Sequence, residues 1–260
     1  MTSIAKNNKL KSLKDSIKEE IVGQENLIEN LLICLLADGH MLIEGMPGLA
    51  KTTAAKAVAE GIEGKFHRIQ FTPDLLPSDL IGTEIYNHET ASFSFREGPL
   101  FNNIVLADEI NRSPAKVQSA LLEAMAERQV TVGHKTYKLP ELYMVLATQN
   151  PVEQEGTYSL PEAQLDRFLM YVMVDYPTFE EELQIIDLDT RKLDKDRKKA
   201  ILETTSQEEI FAARKQVNAI HISEALKEYI ATLIVATRHP GDYDQLLADW
   251  IMYGASPRAT

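Results

Sequence analysis

Gly45-Met46-Pro47-Gly48-Leu49-Ala50-Lys51-Thr52 decides the reading of this chain. It follows an apolar run, His40-Met-Leu-Ile-Glu44, with the character of a buried strand. It precedes Thr53-Ala-Ala-Lys-Ala-Val-Ala-Glu60, with the composition of a helix. Strand, glycine-rich loop and helix with Lys-Thr at the turn form the context of a phosphate-binding loop. Backbone N–H groups from Gly45, Pro47–Ala50 and the first helical residues, Thr53 included, can turn toward an anion, proline lacking one. Lys51 can reach β- and γ-phosphates, and the Thr52 hydroxyl can ligate Mg²⁺. Ala50 stands where the common pattern has a second fixed glycine, and a methyl is tolerable there if φ stays negative. The bland alternative is a Gly/Pro loop ahead of an ordinary helix.

Working outward, Asn103-Ile-Val-Leu-Ala-Asp108-Glu109 is an apolar strand ending in two carboxylates. Asp108 at the strand tip can hold Mg²⁺, mostly through water, and Glu109 can orient or deprotonate an attacking water. Met144-Val-Leu-Ala-Thr-Gln-Asn150-Pro151 is a strand ending in amides. In a parallel sheet its tip lies at the ligand edge, so Asn150 can touch the γ-phosphate or the water; the alternative is a plain Asn-Pro turn. Gln164-Leu-Asp166-Arg167-Phe168 places an arginine before a fifth strand, where it serves either catalysis or an ion pair with Asp166. Gly254-Ala-Ser-Pro-Arg258 sets another arginine just inside a helix start.

Five candidate strands, His40–Glu44, Phe66–Phe71, Asn103–Asp108, Leu142–Thr148 and Met170–Val174, alternate with helices at Thr52–Gly61, Pro73–Ile81 and Ser113–Glu127. That alternation predicts an α/β fold, a parallel sheet covered by helices on both faces. Leu10–Glu20 and Glu25–Ala37 are helices ahead of the first strand. After Tyr176-Pro-Thr178 strands give way to helical periodicity at Phe179–Asp189, Ser206–Asn218, Ser223–Arg238 and Tyr243–Tyr253. The expected division is therefore an αβα core over residues 1–177 and an all-helical part over 178–260. The charged run Lys192–Lys199 reads as a solvated face. Two hairpin patterns, Glu84–Phe95 and Gln129–Leu139, are either surface decoration or projections toward a substrate.

Composition narrows the function class. A formal net charge of −12 sets the surface as a whole against nucleic acid and anionic membrane. The single cysteine, Cys34 in an apolar helix, is expected as a buried thiol in a reducing compartment. The six histidines lack the spacing of a metal site. No apolar run approaches membrane-spanning length and the first residues lack a secretory core, so the expectation is a cytoplasmic protein with no membrane insertion.

These motifs together resemble the AAA+ ATPases, and within them the MoxR family. The resemblance is carried by Ile21-Val-Gly-Gln24, Glu44–Thr52, Arg68-Ile-Gln-Phe-Thr-Pro-Asp-Leu-Leu-Pro-Ser-Asp-Leu-Ile-Gly82, Gly98-Pro-Leu, Ala107–Met125, Ala147-Thr-Gln-Asn-Pro151 and Leu160–Phe168. It implies a P-loop αβα sandwich with a five-stranded parallel sheet and a small helical lid, binding and hydrolysing ATP with Mg²⁺. Ile21, Val22 and Gly23 would line the adenine pocket. Gly45, Gly48, Lys51 and Thr52 would form Walker A, and Asp108 and Glu109 Walker B. Asn150 would be sensor 1, Arg167 an arginine finger serving the neighbouring subunit, and Arg258 sensor 2 in the lid. The hairpins would be the helix-2 insert and the hairpin before sensor 1. The family implies a ring homo-hexamer, a von Willebrand factor A domain partner and a chaperone-like role on a protein client. Family members continue past the position of Thr260 with further lid helices, so the lid is expected to be C-terminally incomplete. A nucleotide-gated binding module and a DNA-directed motor are the alternatives; the full set of catalytic residues argues against the first, the acidic balance against the second.

Overall fold

The structure, a computed structural model, describes residues 2–89, 91–152, 156–192 and 204–259. Helices α1 (Thr2–Glu20) and α2 (Glu25–Leu36) precede strand β1 (Met41–Gly45) and helix α3 (Lys51–Glu60). Strand β2 (Phe66–Gln70), helix α4 (Pro77–Ile81) and a hairpin of β3 (Gly82–Asn87) and β4 (Ser92–Glu97) follow. Then come β5 (Ile104–Asp108), α5 (Ala115–Glu127) and a second hairpin, β6 (Gln129–Val132) and β7 (Lys135–Lys138). Strand β8 (Met144–Gln149), the short α6 (Glu162–Leu165), β9 (Met170–Val174) and α7 (Phe179–Lys192) complete this run. The mixed-charge run from residue 193 lies outside the described residues.

The main sheet has the order β2-β5-β8-β1-β9, all neighbours parallel. It is the predicted five-stranded sheet, and its strand tips Gly45, Gln70, Asp108, Gln149 and Val174 share one edge. The order reverses beside β1, so the crevice at the β1 and β8 tips is the topological switch point where α/β sheets bind ligands.

Alternation along the strands builds two cores. Met41, Ile43, Leu106, Met144, Leu146 and Val172 face one layer, made with Leu13 and Ile17 of α1, Leu27, Ile28, Leu31 and Leu35 of α2 and Ala54, Ala55 and Val58 of α3. Leu42, Val105, Ala107, Val145 and Ala147 face the other, with Val117, Leu121, Leu122 and Met125 of α5. Ile28, Leu31 and Leu35 are fully buried, each worth about 1.5–3 kcal/mol of transfer free energy. Cys34 lies among them as expected, and burial pushes its thiol up to about 12.

Both hairpins form as antiparallel ladders, and they meet: the Phe95 ring stacks on Tyr137 at 4.2 Å between centroids. Gly82 opens the first hairpin at φ +106, where a Cβ would lie 2.2 Å from the Arg96 carbonyl oxygen. Only glycine fits this turn.

Two compact units divide at Arg214 and Lys215. The boundary expected near residue 177 thus falls inside the first unit. Helix α8 (Gln207–Asn218) explains the difference. Its Ile210 is fully buried in the α2-side core, and Arg214 donates to the Leu35 carbonyl from Nε (2.9 Å) and Nη2 (2.7 Å) and to Asp38 Oδ1 (2.6 Å). A guanidinium on the last carbonyls of α2 satisfies groups that the helix itself leaves open. The second unit, Lys215–Thr260, holds α9 (Glu224–Arg238) and α10 (Gln245–Trp250). Ser223 and Asp244 cap these helices through Leu226 N and Leu246 N. No helix among the described residues is long and apolar enough to cross a membrane.

Candidate functional site

The loop after β1 is held by left-handed residues. Gly48 has φ +87 and Ala50 φ +56. The condition of a negative φ for a methyl at Ala50 is therefore not met. The chain must reverse within a few residues to start α3 at Lys51, and the left-handed turn that achieves this costs an L-residue about 1–2 kcal/mol. No side chain caps α3, so its first N–H groups are left for an anion. Lys51 Nζ donates to the Gly45 carbonyl oxygen and, at 3.2 Å, to that of Gln149, tying the tips of β1 and β8. Burial lowers its pKa, an effect that Asp108, Glu109 and Glu44 oppose.

Asp108 is 7 % exposed at the tip of β5. Its Oδ1 accepts from the Thr148 hydroxyl, and its Oδ2 accepts from Thr52 Oγ1 at 3.3 Å. Arg68 Nε (2.9 Å) and Nη2 (2.6 Å) also donate to Oδ2. Glu109 adopts φ +57, a strained conformation of the kind that clusters at functional sites. Its backbone N–H donates to Thr148 Oγ1 at 2.9 Å, while Gln70 Nε2 (2.7 Å) and Arg112 Nη1 (3.1 Å) donate to its Oε2. One threonine thus positions both acids.

Residues Pro47 to Thr53 face Arg68, Asp108, Glu109, Thr148 and Asn150 across a cavity of about 300 Å³. Thr52 and Asp108 offer it two hard oxygen donors side by side, a set suited to Mg²⁺ completed by phosphate oxygens and water. Among the described residues no group of three or more His, Cys, Asp or Glu forms a metal cage. Asn150 is 5 % exposed, and its Oδ1 accepts from Val152 N at 3.2 Å. A second cavity of about 440 Å³ also borders Asn150. Leu42, Leu160, Leu165 and Phe168 wall it, and no charged side chain among the described residues lines it, so it does not suit a polyphosphate.

The structure thus brings Pro47, Gly48, Leu49, Ala50, Lys51, Thr52, Thr53, Asp108, Glu109 and Asn150 to one cavity, with Gly45 at its base. Ile21, Val22 and Gly23 do not line it. Ile21 is 4 % exposed within the α1–α2 core, and Gly23 (φ +78) lies beside the Glu181 side chain. Arg167 does not line it either; its Nη1 donates to the Leu122 carbonyl oxygen at 3.0 Å, at the α5 side of the sheet. Arg258 sits in the second unit, in a 3₁₀ turn over Pro257–Ala259, its N–H donating to Ser256 Oγ. Arg68, Gln70, Thr148 and Arg112 are participants to which motif reading assigned no role. The available signal was polarity: Arg68 and Gln70 share one face of β2, at the strand's tip, opposite buried Ile69.

Residues 40–170 match the sequence profile of the ATPase family associated with various cellular activities (AAA). The chain is 47 % identical over 251 residues to the chaperone MoxR1 of Mycobacterium tuberculosis, covering 94 % of this chain and 64 % of that protein's length. It is 44 % identical over 247 residues to the uncharacterized protein YeaC of Bacillus subtilis, covering 95 % of this chain and 73 % of the relative. A crystal structure of a proposed ATPase from Cytophaga hutchinsonii superposes with a TM-score of 0.87 at 49 % identity, covering 98 % of this chain and 77 % of that one. A Lys-Thr phosphate loop at the switch point, an acidic pair at the tip of β5 and relatives of this closeness place the chain in the MoxR family of AAA+ ATPases.

Proposed function

We propose that the chain binds and hydrolyses Mg²⁺–ATP and uses the cycle in a chaperone-like way to remodel or mature protein complexes. The observation that carries the reading is the convergence on one cavity of Lys51 and Thr52 from the start of α3 and of Asp108 and Glu109 from the end of β5. Lys51 and the N–H groups of α3 hold the phosphates. Thr52 and Asp108 hold Mg²⁺, which supplies positive charge to the β- and γ-phosphate oxygens. Glu109 takes the proton of the attacking water, with Asn150 orienting water or γ-phosphate. Ile21, Val22 and Gly23 serve the adenine, and Arg258 acts as sensor 2 from a lid built of residues 178–260.

Arg167 is assigned to the ATP of a neighbouring subunit in a homo-hexamer. Its absence from the lining of its own chain's cavity supports this. The two hairpins are assigned to the protein client. Phe93 and Tyr86 at the first hairpin are 66 % and 43 % exposed and pack on each other at 5.1 Å, an apolar surface suited to transient contact. A von Willebrand factor A domain partner and a cytoplasmic setting belong to the same reading. Motor action on DNA is the weaker alternative, since a net charge of −12 opposes phosphate backbones.

Glu109→Gln keeps the shape and the bonds to Gln70 and removes the base. The variant is expected to bind ATP as the parent does and to turn it over on the order of 10²–10⁴-fold more slowly. Filter binding beside a phosphate-release assay separates the two steps, and parental turnover in the variant would remove Glu109 from the reaction.

A further inference from the structure

Arg68 stands outside the phosphate loop, the acidic pair and the sensor, yet its guanidinium occupies the carboxylate oxygen that a metal would need. Nε and Nη2 both donate to Asp108 Oδ2, at 2.9 and 2.6 Å. The other oxygen, Oδ1, accepts the Thr148 hydroxyl. A divalent cation and a guanidinium repel each other and cannot share Oδ2 at bonding distance. One must leave for the other to enter.

The two partners differ in freedom. The Asp108 side chain is 10 % exposed and pinned by Thr148; the Arg68 side chain is 50 % exposed. Arg68 is therefore the mobile member of the pair. Its Nη2 has a second acceptor, Gln70 Oε1, at 3.0 Å. A guanidinium released from Asp108 is retained by Gln70 at the wall of the same cavity.

We propose that Arg68 is a surrogate cation, neutralising Asp108 until Mg²⁺ displaces it and so setting the Mg²⁺ concentration at which the nucleotide-loaded site fills. The inference rests on the ATP-binding reading. It gives the residue a function in metal loading, distinct from phosphate binding by Lys51. Without Arg68, Asp108 carries an uncompensated charge beside Thr52 and takes up the cation at lower concentration. A lysine at 68 keeps the charge and the competition.

The test is a titration of Mg²⁺ into the full chain mixed with a fluorescent ATP analogue, for the parent, Arg68→Gln and Arg68→Lys, with circular dichroism as the folding control. A pair whose cation is half exposed corresponds to a shift of roughly fivefold. Arg68→Gln is expected to lower the Mg²⁺ midpoint by that factor, with nucleotide affinity at saturating Mg²⁺ unchanged and Arg68→Lys near the parent. An unchanged or higher midpoint in Arg68→Gln overturns the proposal while leaving the ATP site intact, as does lost affinity at saturating Mg²⁺ with an unmoved midpoint. A parent that binds no nucleotide at any Mg²⁺ concentration overturns the ATP-site reading itself.

Discussion

Tyr143 and Asp108 show opposite solutions to burying a polar group. Asp108 satisfies its oxygens with Thr148, Thr52 and Arg68. Tyr143 is fully buried beside His40, its ring under the Arg128 guanidinium, and its hydroxyl finds no hydrogen-bond partner among the described residues. An unsatisfied buried hydroxyl is a liability of about 1–3 kcal/mol. Tyr143→Phe keeps the ring and is expected to leave folding stability unchanged or raise it by about 1 kcal/mol, read from urea unfolding. A loss exceeding about 1 kcal/mol would show that the hydroxyl is bonded. At this scale the phosphate loop and the acidic pair were legible, because each is a contiguous run whose chemistry is written in neighbouring residues. The left-handed Ala50 was not legible, since φ follows from how the loop closes onto α3. Nor was Arg68, whose partner Asp108 lies forty positions away and meets it only through the β2–β5 pairing.

His40 is a joint between elements. Its Nδ1 accepts from Val145 N of β8 at 3.0 Å, and its Nε2 faces the Met125 carbonyl oxygen of α5 at 3.4 Å. Burial, aided by the Arg128 charge, lowers its pKa from 6.5 to about 4. Between those values the unfolded chain binds a proton that the folded chain does not. The stabilising contribution is therefore complete above pH 6.5 and is lost as pH falls toward 4, about 3 kcal/mol in total. Urea midpoints measured from pH 7.5 to 4.5 are expected to fall more steeply in the parent than in His40→Gln; parallel curves would mean that His40 titrates normally in the fold. The strands themselves were readable to within two residues, the inner ones β1, β5 and β8 because both their faces are buried and their apolar runs are nearly continuous. The last helix was over-extended: Tyr243–Tyr253 was expected, whereas Asp244 caps a helix that ends at Trp250 and Ile251 turns extended. The compact units divide later than the helical part begins, because α8 joins the first unit through buried Ile210 and through Arg214, whose bonds reach residues more than 170 positions away that no local pattern announces.

At the scale of the molecule, a net charge of −12 disfavours self-association except through specific contacts. A ring in which Arg167 of one subunit completes the ATP site of the next would be such a contact, and arginine fingers contribute on the order of 10³–10⁵ in turnover. The central claim is ATP hydrolysis at a P-loop site shared in this way. It is tested most directly by Mg²⁺-dependent phosphate release from the parent, Lys51→Ala, Arg167→Ala and equimolar mixtures of the two variants, with assembly followed by light scattering. Turnover in the parent is expected to rise with protein concentration, with little in either variant alone and partial recovery on mixing, where some interfaces pair an intact loop with an intact finger. A parent without turnover would rule out hydrolysis at this site, and mixed rings that form and stay inactive would rule out a site shared between subunits.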